Sequence, residues 1–172
     1  MHSPIAHLRP TGPSDAVIDP LLETDSWQLG FLTTNPSLLP IRSDPDLRSR
    51  IVSHRLQGDY VIAGRSALFV WGARVPDIHE IYPRAKAPPP GTRVLDVHLH
   101  YRDFVRFGSR VVTEPYRSIM DTLSVHGLTY LSDIIDLRSR ISSSKLAHRC
   151  RASKIARPVW EEVVEILEMM GH

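Results

Sequence analysis

Apolar residues recur along this chain in short bursts, with proline, glycine and charge between them. Ser43 and Asp44 ahead of Pro45 predict a helix start. A short acceptor side chain there satisfies amides of the first turn, and proline loses no hydrogen bond in it. Leu47 and Ile51 follow on one face, with His54 and Arg55 next in register, and Gly58 ends the helix. "YVIAG" (60–64) predicts a short apolar strand, and "RSALFVWG" (65–72) a compact helix closed by Gly72. "HEIYPR" (79–84) predicts a second strand, and "AKAPPPGT" a loop whose prolines cannot join a ladder. "RVLDVHLHY" (93–101) alternates. Leu95, Val97, Leu99 and Tyr101 share one face and Asp96, His98 and His100 the other, as in a half-buried strand. Phe104, Val105, Phe107 and Gly108 lead into a further strand, "SRVVT" (109–113).

Beyond Thr113 the period lengthens from two to that of a helix. Thr113 is the expected N-cap, Glu114 places negative charge at the positive end of the helix dipole, and Pro115 fits the first turn. Tyr116, Ile119, Met120 and Leu123 form the expected apolar face, and Gly127 the stop. Another helix is predicted from about 128 to 140. The last starts near Pro158 and buries Val159, Val163, Ile166 and Met170, with Gly171 as its stop. Short strands in the middle and helices toward the end predict an α+β fold, a small mixed or antiparallel sheet with a helical C-terminal part over 114–172. Residues 1–20 hold four prolines and little periodicity, which predicts a mobile arm. Residues 21–172 are then a single domain, in which Trp27, Leu29, Phe31 and Leu32 cover one edge of the core.

With 172 residues, 42% of them hydrophobic, the chain suits one globular domain with a sizeable core. The N-terminal sequence lacks a basic then apolar leader, and no apolar run approaches the ~18 residues of a membrane span. One cysteine, Cys150, excludes an intrachain disulfide and a Cys-based zinc site. A cytoplasmic protein with no membrane association and no cofactor is expected. The net charge of +2 says little, but its distribution says more. Arg138, Arg140, Lys145, Arg149, Arg151, Lys154 and Arg157 fall within 138–157 with no acid among them, and Glu161, Glu162, Glu165 and Glu168 follow. The stripe Leu137, Ile141, Ser144, His148, Ala152, Ile155, Val159 predicts a helix with cations on its other faces. Such a basic surface suits solvent or internal compensation, a partner protein, or the phosphates of nucleic acid.

Arg117 and Asp121 lie four apart and so face each other on one helix. With no nucleophile or ligand set beside them, a structural lock is the expected role. A half-buried guanidinium can hold several backbone carbonyls at once. "VIAGRSALFVWG" (61–72) and "RVLDVHLHYRDFVRFGSRVVTEPYRSIMDTL" (93–123) also form a pattern. The first resembles the Ser-Ala helix of AbiEi-type antitoxins. The second resembles the block that follows it there, with His98 or His100, Asp103, Val112, Thr113, Pro115, Arg117, Ser118 and Asp121 on the matching positions. The resemblance covers about 47–123. It implies an antitoxin of a bacterial phage-defence pair whose partner is a nucleotidyltransferase-type toxin. Many members carry an N-terminal winged helix-turn-helix that binds promoter DNA. Here the proline-rich first 45 residues depart from that pattern, so DNA binding falls to the basic 138–157 segment or is absent.

Asp96, His98 and His100 are the one candidate metal-ligating set, because alternate strand positions deliver imidazole and carboxylate to one ion. A solvated strand face is the plainer reading, and no metal is expected. Cys150 between Arg149 and Arg151 sits where cations would lower a thiol pKa, although a lone cysteine on a basic helix is more often incidental. There is no phosphate-binding glycine loop, no Gly-x-Ser-x-Gly and no His-Glu-x-x-His, which argues against an enzyme. Recognition surfaces are expected on the 65–71 helix, Arg65 included, and on the basic segment.

Overall fold

The computed structural model describes residues 44–56, 58–73, 79–84, 87–96 and 98–171. The expected arm at 1–20 and the edge-covering residues Trp27, Leu29, Phe31 and Leu32 lie outside them. Helix α1 (Pro45–Arg55) starts as its sequence predicts: the Asp44 carboxylate accepts from the amides of Asp46 and Leu47 at 2.8 and 3.3 Å. It buries Leu47, Ile51 and Val52, and His54 is exposed.

Strand β1 (Tyr60–Ile62) leads into α2 (Gly64–Trp71), and β2 (His79–Pro83) and β3 (Thr92–Val94) follow. Strands β4 (Phe104–Phe107) and β5 (Arg110–Thr113) form a hairpin through Gly108 and Ser109. The sheet order is β3-β2-β1-β5-β4, with β1 antiparallel to β2 and parallel to β5, so the sheet is mixed and the fold α+β. Register assigns its two faces. Ile62 stands opposite Ile81 and Val112, and all three enter the main core. One position earlier, Val61 stands opposite Tyr82 and Val111, and these form a second, smaller cluster with Ala63 and Leu95. Successive side chains on a strand point to opposite faces, so one residue of register separates the two clusters.

All eight residues of α2 are buried. That corrects the expectation of a contact surface on this helix: α1, β2 and α3 (Pro115–His126) enclose it. Its carbonyl end is held by Arg48 of α1, 1% exposed, which donates to the carbonyls of Phe69 and Ala73 and lies 4.1 Å over the Phe69 ring. A cation at a helix C-terminus also meets the negative end of the dipole.

The alternating 93–101 segment is a strand only to Val94. The Leu95 amide still donates to Ile81 at 2.9 Å, and then the chain leaves the sheet. Leu95 and Leu99 pack on the smaller cluster, as their alternation implies, but Tyr101 is 65% exposed in a 3-10 turn (Tyr101–Asp103). The predicted 128–140 helix is two short pieces, α4 (Leu131–Ile135) and a 3-10 turn (Arg138–Arg140). The basic helix is α5 (Ser143–Arg151) alone, which buries Leu146, Ala147 and Cys150 and leaves Ser144, His148 and Ala152 exposed, so the predicted stripe fails along the helix, although Leu137 is buried and Ile141, Ile155 and Val159 pack on the core. Helix α6 (Arg157–Met170) buries Trp160, Val163 and Leu167, and Met170 is exposed. Of these, Val163 belongs to the predicted stripe, and Trp160 and Leu167 lie outside it.

Candidate functional site

Helix α3 begins where β5 ends, and that junction builds the site. Glu114, not Thr113, is the N-cap: its carboxylate accepts from the amides of Tyr116 and Arg117 at 3.1 and 2.9 Å. Thr113 is fully buried as the last residue of β5. Its hydroxyl is 2.8 Å from that of Ser118, and its carbonyl accepts from the Trp71 indole at 2.7 Å. Thr113 thus locks strand to helix, through the interior rather than through the cap.

One turn on, Arg117 Nε donates to Asp121 Oδ1 at 2.8 Å, with side chains 11% and 4% exposed. Arg117 also donates to the Tyr82 hydroxyl (2.8 Å), to the His98 carbonyl (3.3 Å) and toward Asp103 (3.4 Å). The Tyr82 hydroxyl in turn donates to Asp121 Oδ1 at 2.7 Å. Asp103 pairs on its other oxygen with Arg149 of α5 at 2.9 Å, and Arg149 also pairs with Glu114. Two guanidiniums and three carboxylates therefore join β2, the 3-10 turn, α3 and α5 in one network. Burial pushes the Asp121 carboxyl up to about 6 against the pull of Arg117, and burial with the neighbouring Asp121 raises the Tyr82 phenol.

Beside this network lies a cleft of about 520 Å³. Helix α3 gives one wall through Arg117, Met120, Asp121 and Ser124. Asp96 and His98 give the second, and the α5–α6 linker, with Lys154 and Ile155, the third. The structure thus gathers Asp96 and His98 with Arg117, Asp121 and Lys154. His100 turns elsewhere: its ring caps the Tyr101–Asp103 turn, accepting from the Arg102 amide at 3.4 Å. The three alternate residues share no face, because the chain has left the sheet. Among the described residues, no group of three or more His, Cys, Asp or Glu side chains is placed to hold a metal ion.

Of the basic set, Arg138, Arg140, Lys145, Arg151, Lys154 and Arg157 are exposed and Arg149 is drawn into the network. Arg157 pairs with Glu161 at 2.7 Å, and Lys145 lies 4.8 Å over the Tyr116 ring. Arg65 is no surface cation. It is 4% exposed, 3.3 Å from Asp133, and stacked 3.5 Å over the Tyr130 ring. Cys150 is 1% exposed, and burial pushes its thiol up to about 11 despite Arg149, so the thiol is not activated.

Sequence reasoning missed a second buried centre. Glu80, fully buried, accepts from the Arg65 amide at the start of α2 (2.7 Å) and meets His126 Nε2 at 2.6 Å. Its own amide donates to the Ser66 hydroxyl at 2.7 Å. The available signal was an acid directly before the apolar Ile81 and Tyr82 in a short strand. Tyr82 and Glu114 were missed as network members as well, because their partners are distant in sequence or hidden behind the expected Thr113 cap. Comparison with family models, with curated proteins and with solved structures returns no match.

Proposed function

We propose that the protein is an antitoxin of a bacterial toxin–antitoxin, phage-defence pair, which neutralises or regulates a nucleotidyltransferase-type toxin by docking and performs no chemistry of its own. One observation carries the reading. Most residues on which the antitoxin resemblance rests (Ser66, Ala67, Asp103, Val112, Thr113, Arg117, Ser118, Asp121) are spent on internal packing and bonds, with His98 and His100 exposed, while the cations of 138–157 other than Arg149 face outward. Such a pattern belongs to a scaffold that presents a surface. A cytoplasmic location goes with the same reading. No described helix is long and apolar enough to cross a membrane.

The test is co-expression with a nucleotidyltransferase encoded by the neighbouring gene. Rescue of growth and co-purification are expected, with both weakened by Arg138→Glu and Arg151→Glu. Neither rescue nor a complex would end the reading. The acid-free run of exposed cations also favours a second reading, a transcriptional regulator that binds nucleic acid through 138–157. In that case affinity falls steeply as salt rises, and Arg151→Glu flattens the dependence by about one phosphate contact. Arg149 is unsuited to this test, because its loss would leave Asp103 and Glu114 without their cation.

A further inference from the structure

The cleft beside Arg117 and Asp121 has features that a structural lock does not require. Both donors that reach Asp121, from Arg117 and Tyr82, fall on Oδ1. Oδ2 has no hydrogen-bond partner among the described residues, although the side chain is 4% exposed. A buried acceptor left unsatisfied is costly and calls for a donor. The charges point the same way. Among the described residues, Asp121, Asp103 and Glu114 pair with Arg117 and Arg149 alone, so this network carries one excess negative charge.

At the rim, exposed Asp96 and Lys154 each lack an ion-pair partner among the described residues. Between rim and network, Met120 and Ile155 give the cleft an apolar lining. Its volume of about 520 Å³ lies within the range of small-molecule sites.

We propose that this cleft binds a small zwitterion of the amino-acid class with an apolar body. Its ammonium group donates to Asp121 Oδ2 and is balanced by Asp96. Its apolar body lies on Met120 and Ile155, and its carboxylate meets Lys154. A charge-assisted donor at Oδ2 stabilises the ionised carboxylate, so binding lowers the Asp121 pKa from its raised position near 6. The proposal is independent of the toxin partner and of nucleic acid, since neither surface substitution used for those readings lines the cleft.

The test is calorimetric titration of the full chain with 4-aminobutyrate, 5-aminopentanoate and 6-aminohexanoate, and with n-butylamine and butyrate as half-probes. At least one zwitterion is expected to bind about tenfold or more tightly than either half-probe. Asp96→Asn and Lys154→Ala, both at exposed positions, are each expected to weaken it by about five- to tenfold. Carbon NMR of the Asp121 carboxyl should show its titration moving to lower pH on binding. Absence of binding by all three zwitterions at ~10 mM would overturn the proposal, since that marks a Kd too weak for a built site. Affinity unchanged in both variants, or butylamine binding as tightly as the zwitterions, would overturn it as well.

Discussion

Asp121 carries a charge that burial opposes and Arg117 retains. Its folded-state pKa near 6 lies above its ordinary 3.8, so the folded chain takes up the proton first as pH falls. The stability contributed by that uptake is complete below about pH 4 and is lost as pH rises through about 6. Asp121→Asn removes this dependence. Relative to the wild type, the variant should gain about 2–3 kcal/mol on going from about pH 4 to pH 7, with urea melts as the measurement. Parallel stability profiles would show that the carboxyl titrates normally. Cys150 yields a second prediction at this scale. A buried thiol pushed up to about 11 is almost wholly protonated at neutral pH, so a thiol reagent should label it only as fast as the chain opens. Rapid labelling of the native protein would contradict that. The titration of neither group was legible in sequence. The four-residue spacing gave the Arg117–Asp121 pair, but not the burial of Cys150, because the side of α5 that faces the core is settled by packing.

Single elements were read best where cap, period and stop agreed. Helix α1 has its aspartate cap and proline, β1 its short apolar run, and α2 its glycine stop. Helix α2 also shows how an element depends on a neighbour. Gly64 has a φ of +49°, and a Cβ there would overlap Glu80 Oε2, the acceptor for the next amide. Gly64→Ala should therefore cost about 3 kcal/mol, from left-handed backbone strain and a lost buried hydrogen bond together. A thermal or urea melt measures it, and a loss below about 1 kcal/mol would mean that Glu80 swings aside without penalty. Elements whose rotation depends on tertiary contacts were misread. In α6 the predicted stripe kept Val163 buried but yielded its other places to Trp160 and Leu167, and in α5 the buried line is Leu146, Ala147 and Cys150. Strand β4 carried apolar residues but was not read as a strand, because its pairing to β5 is a relation between segments.

At the scale of the molecule, one apolar cluster runs from Leu47 of α1 through Ile62, Phe69 and Ile119 to Leu146 and Leu167. If that continuity governs unfolding, Ile119→Ala in α3 and Leu146→Ala in α5, both 0% exposed, should each remove about 2–5 kcal/mol. Each should also lower the midpoint of a single transition, seen alike by tryptophan fluorescence and by circular dichroism. Two separated transitions would show that the C-terminal helices form an independent unit. The sequence by itself determined the α+β class, most element positions, the capped start of α1 and the lock between Arg117 and Asp121. Local spacing and backbone chemistry suffice for these. Only the tertiary structure decided that Arg65 and α2 are interior, that Arg149 belongs to the lock while its basic neighbours face outward, and that Asp96, His98, Asp121 and Lys154 share one cleft. Those facts depend on which distant segments meet, and burial and pairing across the fold are set by packing rather than by local pattern.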